Sequence, residues 1–86
     1  MSKPEAFIVD DNEITRYTLG KLLEADFETR LLASGEACLA ALANSNPALV
    51  LLDVEMGGMD GFETCRQLRQ AHDVPVLFGS GHDTLE

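Results

Sequence analysis

The chain has 86 residues, which is enough for one small domain with a single core. Apolar residues make up 45% of it and charged residues 24%, a balance typical of a folded globular domain and not of a disordered chain. Its 15 acidic and 6 basic residues give a formal net charge of −9, which disfavours direct binding to nucleic acid and favours metal cations or basic partners, although it also serves solubility.

The first predicted strand is the apolar run over residues 6–9, which stops at Asp10 and Asp11. A run that is short, continuous and β-branched is typical of a strand buried on both faces. Asn12 is suited to cap a helix directly after it. Apolar side chains then recur at roughly helical spacing, at Ile14, Tyr17, Leu22 and Leu23.

A second strand and a second helix follow. Residues 27–32 alternate between less polar and charged side chains, which predicts a strand near a sheet edge. Ser34 has the side chain of an N-cap for a helix rich in Ala and Leu, which ends before Pro47. Residues 48–52 form the most apolar run, so we predict that they lie at the sheet centre; this run ends at Asp53.

The last predicted elements are a glycine-rich loop over residues 57–61, a third helix over residues 62–70 and a fourth strand over residues 74–78. Strands that alternate with helices predict βαβ units and a parallel sheet with helices on both faces. We therefore expect an α/β fold, a doubly wound parallel sheet of four strands with about three helices, as a single domain over residues 1–86.

Polar residues follow three of these strands: Asp10 and Asp11, then Asp53, then Ser80. In such sheets, ligands bind beyond the carboxyl ends of the strands, where the strand order reverses. Three carboxylates at one place repel each other unless a cation lies among them, and Mg²⁺ suits both oxygen ligands and a phosphoryl group. A carboxylate can also attack phosphorus to give an aspartyl phosphate, whose oxygens the Ser80 hydroxyl could bond.

A plainer interpretation of the acidic pair is helix capping. An Asp at the end of a strand often caps the next helix, so Asp10 or Asp11 alone would indicate little. Asp53 is less suited to this role, because no helix obviously begins there. The joint pattern of all these residues makes coincidence a weaker explanation.

Two cysteines and the termini bear on the compartment. Cys38 and Cys65 have neither a CxxC motif nor a His at ligand spacing, so we expect reduced, buried or half-buried thiols. The N-terminus lacks the apolar core of a signal peptide, and no apolar run is long enough to span a bilayer. These features predict a cytoplasmic chain with no membrane segment.

Four segments carry a family resemblance: FIVDDN at 7–12, LLDVEM at 51–56, MDGF at 59–62 and VPVLFGSGHD at 74–83. In order and spacing they resemble the receiver domain of two-component response regulators over nearly the whole chain. The resemblance implies a flavodoxin-like fold and a signalling role in a phosphorelay. Such a module takes a phosphoryl group from a sensor histidine kinase or a phosphotransfer protein onto itself, and so is not an enzyme in the usual sense.

The resemblance also implies roles for single residues. Asp53 matches the phospho-acceptor, and Ser80 matches the switch hydroxyl that couples phosphorylation to the output face. Asp10 and Asp11 match the acidic pair that holds Mg²⁺, with Asp11 and Asp53 the expected direct ligands. The backbone carbonyl of Glu55 stands where the family supplies another oxygen.

The chain departs from the family pattern in two ways. Gly57 stands where the family usually has Pro, so the loop after Asp53 is expected to be looser. A fifth strand and its preceding Lys, within roughly 40 further residues, are absent, and Lys3 and Lys21 are in the wrong places. Because Leu85-Glu86 also resembles a purification-tag junction, we expect a receiver cut off before its last strand, by engineering or as a naturally short or split domain.

Truncation has two expected consequences. Strand four would become a bare sheet edge, and apolar residues such as Ile8 and Val50 would be exposed, so we expect self-association through the sheet face or edge. Mg²⁺ binding is expected to survive weakly, and phosphotransfer to be slow or absent without the Lys.

Two other functions remain open. The first is a dimerisation or protein-interaction module that keeps the receiver scaffold without phosphotransfer. The second is an aspartyl-phosphate phosphatase or mutase. Two features of the sequence speak against that class. Phosphatases and mutases of this kind carry a second Asp two residues after the nucleophile, where this chain has Glu55. Their nucleophile also follows the first strand, whereas Asp53 follows the third.

Overall fold

The computed structural model describes residues 3–79. Strands and helices alternate along this part, and each predicted element is present with its limits moved by one or two residues. In chain order the elements are β1 (Glu5–Val9), α1 (Glu13–Leu23), β2 (Glu28–Leu32), α2 (Gly35–Leu42), β3 (Leu49–Asp53), α3 (Gly61–Leu68) and β4 (Val76–Gly79).

The four strands form one parallel sheet in the order β2-β1-β3-β4. The two most apolar strands, β1 and β3, lie next to each other at its centre, and β2 lies at an edge as predicted. The chain runs outward from β1 to β2 and then crosses back to β3, so the strand order reverses between β1 and β3. This arrangement is the flavodoxin-like order, which confirms the predicted fold class.

β4 begins two residues later than predicted, and Pro75 is the reason. A proline has no N–H to give to a strand ladder. Its carbonyl oxygen still accepts a hydrogen bond from the Val50 N–H at 2.9 Å, and the regular ladder starts with Val76.

Side-chain oxygens cap the three helices of the described part at their N-termini. Asn12, Ser34 and Asp60 each accept a hydrogen bond from the backbone N–H three residues ahead. The predicted caps Asn12 and Ser34 are thus confirmed. Asp10 and Asp11 do not cap α1, because Asn12 does, so their carboxylates need another explanation.

The main core lies between the sheet and the pair α2 and α3. The register pairs Phe7 with Val50, and both side chains point into this core. Cys38 of α2 is buried there, where burial raises the pKa of its thiol to about 11. Cys38 and the half-buried Cys65 are both free thiols, as expected.

The expectation that Ile8 and Val50 would be exposed is wrong. Both are fully buried. The register pairs Phe7 with Val50, so these two residues share one face of the sheet. Ile8 follows Phe7, and successive residues of a strand point to opposite faces, so Ile8 and Val50 point to opposite faces. The core under α2 covers Val50, and α1 packs on the Ile8 face, where its Gly20 approaches Leu31.

Apolar exposure occurs at other places. On β4, Leu77 is 57% exposed and Phe78 is 46% exposed. The helical spacing predicted for α1 is correct, but Ile14, Tyr17 and Leu22 on it point to solvent. No helix within residues 3–79 combines the length and hydropathy that crossing a membrane requires.

Candidate functional site

The site lies where the two central strands end. Asp10 and Asp11 directly follow β1, and Asp53 is the last residue of β3. Because β1 and β3 are parallel neighbours, these ends meet at one edge of the sheet. One carboxylate oxygen from each residue lies within 4.8 Å of the other two. The structure thus brings together the three carboxylates that the sequence places after strands one and three.

Short local hydrogen bonds orient the two buried members of the cluster. The Asn12 N–H donates to Asp10 Oδ1 at 2.8 Å, and the Glu55 N–H donates to Asp53 Oδ1 at 3.2 Å. Asp10 is 5% exposed and Asp53 is 6% exposed. Neither carboxylate can therefore turn away into solvent.

Asp11 is exposed and is held differently. Its Oδ2 accepts a hydrogen bond at 3.1 Å from the N–H of Gly57, which lies in the loop between β3 and α3. Gly58, with φ of +75°, adopts the left-handed conformation that glycine tolerates at no steric cost. The turn at Gly58 belongs to the segment that brings the Gly57 N–H to Asp11.

The electrostatics of the cluster favour a cation. Burial raises the pKa of Asp53, the negative charges of Asp10, Asp11 and Glu55 raise it further, and the hydrogen bond from the Glu55 N–H acts in the opposite direction. A metal ion would relieve this repulsion. Three carboxylates are hard oxygen ligands of the kind that Mg²⁺ takes, so the donor set fits that ion.

Neither lysine of the chain neutralises the cluster. Lys3 Nζ donates to the Glu24 carbonyl oxygen at 2.7 Å, and Lys21 Nζ lies 3.3 Å from a Glu24 carboxylate oxygen. Glu24 is the C-cap of α1, and the first turn of this helix lies beside the acidic cluster. Glu24 and the two lysines are therefore at the opposite end of the sheet, where β1 begins. The expectation that both lysines are wrongly placed for the site is confirmed.

Gly61 lies in the MDGF segment of the family resemblance, but its role at the site could not be assigned from the sequence. A Cβ atom there would overlap the carbonyl oxygen of Asp53 and lie 2.9 Å from Cα of Val54. The Gly61 N–H also donates to the Val54 carbonyl oxygen at 3.0 Å. The start of α3 is thus packed directly against the end of β3. Asp60 followed by Glu63 three residues later is a capping signal that could have located this helix start.

Two predicted groups are not tested by this geometry. Ser80 lies outside the described residues. Glu55 is exposed, and its backbone N–H contacts Asp53. The role expected for its carbonyl oxygen as a metal ligand stays a prediction.

Comparison with known proteins places these features in one family. The family model described as the response regulator receiver domain matches residues 6–86. The heme response regulator HssR of Staphylococcus haemolyticus is 39% identical over 82 residues, which cover 94% of this chain and 37% of that protein. The DNA-binding transcriptional regulator NtrC of Salmonella typhimurium is 33% identical in an alignment of 88 positions, which covers this whole chain and 19% of that protein.

Comparison with solved structures leads to the same family. The N-terminal domain of a response regulator receiver protein from Methanoculleus marisnigri superposes with a TM-score of 0.88 at 33% identity, over 98% of this chain and 72% of that one. The beryllofluoride-activated NtrC receiver domain gives a TM-score of 0.78 at 32% identity, over 98% of this chain and 69% of that one. The chain spans little more than a third of the length of HssR. With this sheet order, acidic cluster and family match, the chain belongs to the response regulator receiver domain family.

Proposed function

We propose that this chain is a phospho-accepting receiver module of a two-component phosphorelay and that Asp53 is its acceptor. Receiver domains generally interact with histidine kinases or phosphotransfer proteins, and a phosphohistidine on such a partner is the proposed donor. The observation that carries the proposal is the meeting of three carboxylates within 4.8 Å at the ends of the two central strands. The net charge of −9 further supports a partner with a basic docking face over nucleic acid.

The hydrogen bonding at Asp53 supports its role as nucleophile. The Glu55 N–H occupies Oδ1, which leaves Oδ2 for the bond to phosphorus. As this O–P bond forms, the P–N bond of the phosphohistidine breaks, and the imidazole nitrogen leaves with the electron pair of that bond. We propose that Ser80 then supplies a hydroxyl to a phosphoryl oxygen.

The remaining carboxylates are proposed to hold a metal ion. Asp10, Asp11 and Asp53, together with the backbone carbonyl of Glu55, would bind Mg²⁺. When bound, the ion neutralises charge on the phosphoryl oxygens. Since Lys3 and Lys21 both lie at Glu24, no lysine supports that neutralisation, and we propose that phosphorylation of this 86-residue polypeptide is slow.

Phosphorylation by a small donor tests the proposal. We expect the purified chain to gain one phosphoryl group from acetyl phosphate in the presence of Mg²⁺, slowly, as intact-mass spectrometry would detect. The modification should be labile to hydroxylamine, as an acyl phosphate is, and should not form when EDTA removes the metal. A chain that stays unmodified over a long incubation with Mg²⁺ would contradict the proposal and favour a pure interaction module.

Self-association is a separate proposal, which the exposed apolar side chains of β4 support. Within residues 3–79, β4 lies at an edge of the sheet, with Leu77 and Phe78 about half exposed. A sheet edge of this kind can pair with another chain. We expect the 86-residue polypeptide to form dimers or larger species in light scattering at high concentration, whereas a strictly monomeric sample would speak against it.

A further inference from the structure

Each of the three clustered carboxylates accepts one backbone N–H, but the three donors differ in origin. For Asp10 and Asp53 the donor lies two residues ahead, so the bond is built into the local turn. For Asp11 the donor is Gly57, which lies 46 residues further along the chain. This bond therefore joins the loop after β1 to the loop after β3.

Asp11 needs such a bond more than the other two do. Asp10 and Asp53 are buried, whereas Asp11 is exposed and its side chain can turn toward water. A hydrogen bond to an ionised carboxylate is stronger than one between neutral groups, so it can hold this side chain in place. The bond uses Oδ2 and leaves the lone pairs of Oδ1 for a cation.

The bond depends on the kind of residue at position 57. A proline, the residue usual at this place in the family pattern, has no N–H and could not make it. A Cβ atom at Gly57 would meet no atom of residues 3–79 within 4 Å, and the φ of Gly57 is not in the left-handed region, where Gly58 lies. Within the described part of the chain, space and backbone conformation therefore do not demand glycine here, whereas the hydrogen bond to Asp11 demands an N–H.

We propose that the Gly57 N–H is a positioning group for the metal site, which holds the exposed Asp11 carboxylate in the orientation that binds Mg²⁺. This inference rests on the proposed function of the cluster. It adds that the loop between β3 and α3 takes part in metal binding through its backbone. Partners that orient metal ligands from outside the coordination sphere commonly contribute an order of magnitude or more in affinity.

A pair of variants at one position separates the N–H from other properties of the loop. Gly57→Pro removes the N–H, while Gly57→Ala keeps it and places its Cβ away from every atom of the described part of the chain. We expect Gly57→Pro to weaken Mg²⁺ binding about tenfold, and Gly57→Ala to leave it close to wild type, in titrations followed by NMR. Equal Mg²⁺ affinity in the two variants would overturn the proposal.

The Gly57 amide itself gives a readout that needs neither activity nor a proline variant. In the wild-type chain we expect slow exchange of this amide with water, both with and without Mg²⁺, and faster exchange in Asp11→Ala. If Mg²⁺ instead speeds the exchange of the Gly57 amide, the ion replaces the hydrogen bond. The Gly57 N–H would then compete with Mg²⁺ for the Asp11 carboxylate and would not be a positioning group. This measurement decides the question even where Gly57→Pro fails to fold.

The wild-type titration keeps the two proposals distinguishable. If the wild-type chain binds no Mg²⁺, the proposed function fails and this inference fails with it. If the wild-type chain binds Mg²⁺ and Gly57→Pro binds it equally well, only the inference about Gly57 fails.

Discussion

Replacing Asp53 by Asn is expected to abolish phosphorylation by acetyl phosphate completely. An amide oxygen is not a nucleophile of the required strength, so no O–P bond forms at this position. The Asn side chain still offers an oxygen to the Glu55 N–H, which donates to Asp53 Oδ1 at 3.2 Å, so the local fold should persist. Intact-mass spectrometry after incubation with acetyl phosphate and Mg²⁺ measures the loss.

The same substitution should make the metal-free protein more stable at neutral pH. Burial and neighbouring negative charges raise the pKa of Asp53 in the folded state above its ordinary value. A raised pKa means that the folded state binds this proton more tightly than the unfolded state does, so the stability that this group contributes is lost as the pH rises through the folded pKa. Above its folded pKa the ionised Asp53 therefore costs stability, and we expect Asn to restore it as a higher Tm without Mg²⁺.

Asp26→Asn is the matched control, since it removes one negative charge far from the cluster. Asp26 is exposed in the turn after α1, which lies at the end of the sheet opposite to the site. We expect this variant to be phosphorylated as the wild type is and to gain no comparable stability. Phosphorylation of Asp53→Asn at the wild-type level would refute the assignment of Asp53 as the acceptor, and a fall in its metal-free Tm would refute the expected gain in stability.

The sequence predicts the strands that carry the site well because its signals are local. The runs over residues 6–9 and 48–52 are short, apolar and each followed by an Asp, and they became the central strands β1 and β3. Parallel strands have their carboxyl ends at the same end of a sheet, so the strand assignment places Asp10, Asp11 and Asp53 at that end. That β1 and β3 are neighbours, which brings the three carboxylates together, depends on the strand order, which the family resemblance implied.

The face of the sheet to which each side chain of β1 and β3 points could not be predicted in the same way. In a strand that is apolar at every position, no alternation tells which residue points to which helix layer. The register between β1 and β3 decides this, and it places Ile8 and Val50 on opposite faces. The wrong expectation about these two residues arose from treating them as members of one face.

The contact between Asp11 and Gly57 could not be predicted for a different reason. The donor is a backbone N–H, which every residue except proline carries, so its identity leaves no mark in the sequence. The two residues are also 46 positions apart, and only the folded loop brings them together. The same applies to Gly61, whose need for glycine depends on how closely α3 approaches the end of β3.

Gly61→Ala is expected to destabilise the fold by about 3 kcal/mol, at the upper end of what an added methyl group costs in a packed region. The Cβ would overlap the carbonyl oxygen of Asp53, and a backbone atom cannot rotate away as a side chain can. A domain of this size has a total stability at the lower end of about 5–15 kcal/mol, so most of it would be lost. Urea unfolding followed by circular dichroism measures the change.

Gly57→Ala is the control for this prediction, because its Cβ would meet none of the described residues within 4 Å. We expect its unfolding free energy to lie within about 0.5 kcal/mol of the wild type. Equal stability of Gly61→Ala and Gly57→Ala would mean that α3 can move away from β3 at no cost. In that case α3 would not help to hold the end of β3, and the position of Asp53 in the acidic cluster would depend on the pairing of β3 with β4 and on its hydrogen bond with the Glu55 N–H.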